Sequence, residues 1–262
     1  MRLNLIEAGQ GTGQGSGHKP PVVLLHGLFG AAQNWGAIQR KLSARHRVLA
    51  IDLRNHGASP HAEAMDYPAM AADVAETIAG VTAAPAAVLG HSMGGKVAMA
   101  LALAEPQLVS RLVVADIAPV AYAPALRGYV EALQAIALRP GLTRREVEAA
   151  LAETIPEPGI RAFLVQNLLP QEDPPRWRLG LDQIAAAMPV IEDFPALPGR
   201  YDGPVLVLAG EHSGYVRPVH RPAFAAHFPA ARFVTIPAAG HWLHAENPAG
   251  FLAALEPFLD EG

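Results

Sequence analysis

The chain has 262 residues, 51% hydrophobic and 17% charged, with 20 basic against 24 acidic side chains and a formal charge of −4. That length and apolar content bury a sizeable core, which excludes a disordered segment or a mini-fold, and the lack of a long basic run argues against nucleic acid as a partner. There is no cysteine, so disulfides, thiolate metal sites and cysteine nucleophiles are excluded.

At the N-terminus Asn4 and Glu7 interrupt Leu3, Leu5 and Ile6, leaving no secretory apolar core, so a cytoplasmic protein is expected. Residues 3–8 are predicted to form an edge strand, and the Gly/Ser-rich stretch 9–17 a surface turn without chemistry. Short apolar runs at 21–26, 47–52, 85–90, 112–116, 204–209 and 232–236 are predicted as strands, mostly of the kind buried on both faces of a parallel sheet. Helix-length segments lie at 31–42, 67–78, 93–104, 221–228 and 248–256. Residues 77–95 carry no Asp, Glu, Lys or Arg, but Gly80, Pro85 and Gly90 break them, so no membrane span is expected. Alternating strands and helices predict an α/β fold, a mostly parallel, doubly wound sheet with helices on both sides.

The alternation stops between residues 121 and 200, where no strand is predicted. Helical patterns occur at 126–138, 143–154, 159–169 and 179–188, with Pro156, Pro158, Pro174 and Pro175 at the joints. The expected organisation is a core of residues 1–120 and 201–262 with a helical lid, 121–200, over the C-terminal ends of the strands, where open α/β sheets bind ligands.

Gly90, His91, Ser92, Met93 and Gly94 follow one predicted strand and open a helix, the context of a G-x-S-x-G nucleophile turn. Glycines relieve the crowding of such a turn, and the helix N-terminus favours negative charge near Ser92. A serine hydroxyl needs a base, and His241, in the loop between the last predicted strand and the terminal helix, is placed to serve. His244 is expected to support that loop, and His91 to point away from the nucleophile. The imidazole in turn needs a carboxylate. Asp116 ends the strand expected beside the serine strand; Glu211 is the other candidate. His26, Gly27, Leu28, Phe29 and Gly30 form a strand-to-helix turn suited to an oxyanion, with Leu28 and Met93 as backbone N–H donors. Asp52, Arg54, Asn55, His56 and Ser59 are expected to brace that turn. No metal-ligand spacing, phosphate loop or dinucleotide fingerprint occurs, so neither metal nor cofactor is expected.

Together these residues resemble the α/β-hydrolase superfamily over nearly the whole chain, and its YbfF-like esterases in the stretches 26–30, 52–57, 90–96, 116–119 and 240–244. Many members of that superfamily place the acid three residues after a glycine that ends the strand following the lid. Here Gly210 is followed at that spacing by Ser213, and the esterase resemblance implies instead an acid on the strand before the lid, in agreement with Asp116. It further implies hydrolysis of small-molecule carboxylic esters or acyl thioesters through an acyl-enzyme, without a cofactor. The fold also hosts C–C lyases, cofactor-free haloperoxidases and ligand receptors, which are the alternative readings.

Overall fold

The computed structural model describes residues 1–9 and 19–261, so the glycine-rich turn expected at 9–17 lies, apart from Gly9, outside the described residues. The strands are β1 (Leu5–Ala8), β2 (Val22–Leu25), β3 (Val48–Ile51), β4 (Ala86–His91), β5 (Val109–Ala115), β6 (Leu168–Leu169), β7 (Arg176–Trp177), β8 (Val205–Gly210) and β9 (Ala231–Ile236). All but β6 and β7 join one sheet in the order β1-β3-β2-β4-β5-β8-β9, with β1 antiparallel at one edge and the other pairs parallel.

Side chains alternate across a strand, so each central strand feeds two cores. Val23, Leu25, Val88 and Val114 enter one, with α2 (Tyr67–Ala79) and α3 (Met93–Ala104); Val22, Leu24, Leu89 and Val113 enter the other, with α1 (Gly36–Leu42) and the C-terminal α10 (Pro248–Asp260). Nearly every residue of α3 is buried, as a helix apolar on all sides but for Lys96 requires. Opposite Gly90 lies Val114, and opposite His91 lies Ala115. The residues just beyond, Ser92 and Asp116, therefore leave the same sheet edge from neighbouring strands, which run about 4.8 Å apart.

Between β5 and β8 the chain forms α4 (Arg127–Gln134), α5 (Arg144–Leu151), α6 (Pro158–Val165) and α7 (Leu181–Glu192). Buried side chains recur every three or four residues: Val130 and Leu133, Val147 and Leu151, then Leu181, Ile184, Met188 and Ile191. They extend the core that α2 and α3 share. The insertion is not purely helical, correcting the expectation of no strand there. Helix α6 stops at Val165, and β6 pairs antiparallel with β7. A short apolar run fits either period, and Pro174 and Pro175 prevent a helix from continuing.

The exit of the insertion is tied to α3. Lys96, only 1% exposed, donates from Nζ to the carbonyl oxygens of Asp193 (2.6 Å), Glu192 (3.3 Å) and Ile191 (3.5 Å). Tyr67 Oη also donates to the Ile191 carbonyl at 2.6 Å, and the Tyr122 N–H to that of Glu192 at 2.9 Å. The last carbonyls of a helix lack intrahelical partners and carry its negative dipole end, so a buried ammonium satisfies both. Burial lowers the Lys96 pKa to about 8. Among the described residues no helix is long and apolar enough to cross a membrane.

Candidate active site

Ser92 has φ 51° and ψ −121°, a strained conformation for a residue with a side chain. It is held by its N–H donating to the Ala115 carbonyl (3.0 Å), and by its own carbonyl, which accepts from the Gly95 N–H (2.8 Å) and the Lys96 N–H (3.2 Å). A Cβ on Gly90 would lie 2.0 Å from the Gly94 carbonyl oxygen, and one on Gly94 would lie 2.5 Å from those of Leu25 and His26. Backbone cannot yield at such distances, so glycine at both places lets α3 start hard against β2 and β4.

Asp116 also has positive φ, 54°, and is fully buried. Its Oδ1 accepts from the Gly210 N–H at 3.0 Å; its Oδ2 accepts from the Ser213 hydroxyl and meets His241 Nδ1 at 2.8 Å. With Nδ1–H donating to the carboxylate, Nε2 carries a free lone pair. Ser213, at the place where an acid is usual, acts on the acid itself. Tyr215, two residues on, stacks on the His241 ring, centroids 4.1 Å apart at 26°.

The loop bearing His241 is held from several sides. Glu211 accepts from the Ala238 N–H (2.7 Å), while Glu246 accepts from the N–H groups of Gly240 (2.6 Å) and Trp242 (3.1 Å). His91 Nε2 lies 2.7 Å from the His241 carbonyl oxygen. The His91 side chain thus lies under this loop, and burial holds its pKa well below the ordinary value, which leaves a neutral ring whose Nε2–H donates to that carbonyl. His244 packs on Trp35, with ring centroids 4.5 Å apart, its pKa lowered by burial to about 4.

The turn from His26 to Gly30 is braced by the Asp52 stretch. His26 Nε2 accepts from the Leu53 N–H (3.0 Å), and His56 Nε2 from the Phe29 N–H (3.2 Å). Asp52 accepts from the N–H groups of Ala32 (2.6 Å) and Ala58 (2.9 Å); Arg54 pairs with Asp73 at 2.6 Å. Phe29 has φ 63°, and its carbonyl accepts from Asn167 Nδ2 at 2.9 Å, a contact from the insertion that no sequence spacing foretold. Burial lowers both histidine pKa values, that of His56 to about 3, so each stays a neutral acceptor at Nε2. The backbone N–H groups of Leu28 and Met93 donate to no partner among the described residues.

Ser92, Leu28 and His241 line a cavity of about 370 Å³ walled by Phe29, Trp35, Tyr129, Ile160, Phe163 and Trp242. It lies between the sheet edge and the insertion. No hydrogen bond joins Ser92 Oγ to His241 among the described residues, though both face this space; catalytic contacts often close only around substrate. The arrangement holds a hydroxyl, an imidazole and a buried carboxylate beside two free N–H donors, the set that acyl transfer uses.

Residues 22–254 match the model of the Alpha/beta hydrolase family. The chain is 40% identical over 254 residues to the sn-1-specific diacylglycerol lipase ABHD11 of Xenopus tropicalis, covering 94% of this chain and 80% of that protein. It is 36% identical over 264 residues to the esterase YbfF of Escherichia coli (strain K12), covering all of both. Among solved structures it is similar to a marine microorganism esterase, with a TM-score of 0.91 and 37% identity, covering 98% of this chain and 99% of that one.

Proposed function

The chain belongs to the alpha/beta hydrolase family and is a carboxylesterase-type hydrolase, and from that premise we propose that Ser92 is its nucleophile, His241 its base and Asp116 its acid. The observation that carries this reading is the 2.8 Å contact between Asp116 Oδ2 and His241 Nδ1, behind a cavity that both His241 and Ser92 line. As Ser92 Oγ bonds to the carbonyl carbon, its proton passes to His241 Nε2. The carbonyl oxygen gains the negative charge, which the Leu28 and Met93 N–H groups receive. Collapse breaks the bond to the alcohol, whose oxygen takes the proton from Nε2. Water then repeats the steps on the acyl-enzyme, releasing the acid and Ser92. Asp116 keeps its charge throughout and balances the imidazolium.

The same steps cleave an acyl thioester with a thiol as leaving group, and we include both substrate classes, with the apolar cavity walls selecting apolar groups. The insertion serves as the lid of this site. No step calls for a cofactor. Treatment with a fluorophosphonate followed by peptide mapping tests it. Labelling at Ser92, lost in Ser92→Ala, is expected; labelling at another serine, or none, refutes the assignment. Burst release of nitrophenol followed by steady turnover on p-nitrophenyl esters separates this reading from a receptor, which gives no turnover.

A further inference from the structure

A second cavity, about 40 Å³, adjoins the first at Ser92. It is bounded by Met93 and Ile117 on the sheet side and by Tyr122, Met188 and Ile191 of the insertion, with Lys96 at its wall. Leu28, Ser92, Ala125, Leu126 and Tyr215 border both spaces. His241, Trp242 and His244 face the large cavity, and none of them lines the small one.

That asymmetry orients the substrate, and the geometry points to the small cavity as the acyl subsite and the large one as the alcohol or thiol subsite. The inference rests on the serine–histidine mechanism proposed above. In that mechanism the leaving oxygen must take its proton from His241 Nε2, so it lies within about 3 Å of that atom. The leaving group therefore extends into the cavity that His241 lines. With the carbonyl oxygen directed at the Leu28 and Met93 N–H groups, the remaining substituent, the acyl chain, points to the side away from His241. A water-sized group needs roughly 10–15 Å³ of such space, so the small cavity holds an acyl chain of about two to four carbons. The preferred substrate class is thus esters or thioesters of short acids with large apolar alcohols or thiols.

Two substrate series read the two arms separately. In p-nitrophenyl esters from acetate to decanoate, kcat/KM is expected to fall about tenfold or more beyond butyrate, the scale at which a pocket of limited size discriminates chain length. In acetates from ethyl to octyl alcohol it is expected to rise. Ile191→Ala deepens the small cavity without touching the triad, and should move the acyl optimum up by about two carbons while the alcohol series, measured with the acyl group that is then preferred, still rises from ethyl to octyl. Met188→Ala provides a second enlargement should the first fold poorly. An acyl optimum at octanoate or beyond, with octyl acetate no better than ethyl acetate, overturns the assignment while leaving the nucleophile reading intact. Failure to turn over any ester in either series, with no fluorophosphonate label on Ser92, overturns both.

Discussion

Asp116 reaches His241 from a backbone conformation that few side-chain-bearing residues adopt, with φ at 54°. Three donors converge on its buried carboxylate: the Gly210 N–H, the Ser213 hydroxyl and His241 Nδ1. An asparagine there keeps the volume but loses the charge, and its amide can present N–H to Nδ1, which favours the wrong tautomer. Asp116→Asn is expected to lower kcat on p-nitrophenyl acetate by about three to four orders of magnitude, as loss of the acid does in comparable triads. Near-normal turnover would move the role to Glu211, whose carboxylate accepts from the Ala238 N–H. At this scale much was legible in the sequence, because a serine at position 213 cannot supply the opposing charge and sends the search to the neighbouring strand end. Tyr215 and Asn167 were not legible. They meet His241 and Phe29 through the fold, and their own spacing carries no sign of it.

Among the elements, the junction of α3 with the end of α7 shows how a single buried cation can fasten an insertion. Lys96 lies one turn past Ser92 and donates to three successive carbonyls at the exit of α7, with the Tyr67 hydroxyl on one of them. Lys96→Met removes the donor and leaves those buried acceptors short of partners, which costs about 1–3 kcal/mol. Hydrogen exchange in residues 190–194 is therefore expected to quicken by about tenfold or more, while the amides of β4 and β5 keep their protection. Unchanged exchange at the α7 exit would show that the tyrosine and backbone contacts suffice. The sequence marked the strands and most helices correctly because buried parallel strands are unbroken apolar runs. It failed at β6 and β7, since two-residue strands are too short to show a period and take their pairing from the turn between them.

Across the whole molecule, four histidines close to the site are buried and neutral: His26, His56, His91 and His244. Burial lowers each pKa below the ordinary value near 6.5, to about 3 for His56 and about 4 for His244. Above about pH 7.5 neither the folded nor the unfolded chain protonates these rings to any extent. As pH falls below that, the unfolded chain takes up protons that the folded chain refuses. Stability is then lost progressively down to the folded-state values, at up to about 1.4 kcal/mol per pH unit for each ring. Calorimetric scans from pH 7.5 to 4.5 are expected to show a steadily falling Tm; a flat profile would mean that these rings are protonated in the fold. The order of the chain carries one more consequence. Ser92 and Asp116 are both set on adjacent strands before residue 121, whereas the walls that choose a substrate arise mostly from what comes after. The segment between β5 and β8 contributes Tyr129, Ile160 and Phe163 to the large cavity and Met188 and Ile191 to the small one, so changes there reshape both spaces while Ser92 and Asp116 keep their places on the sheet.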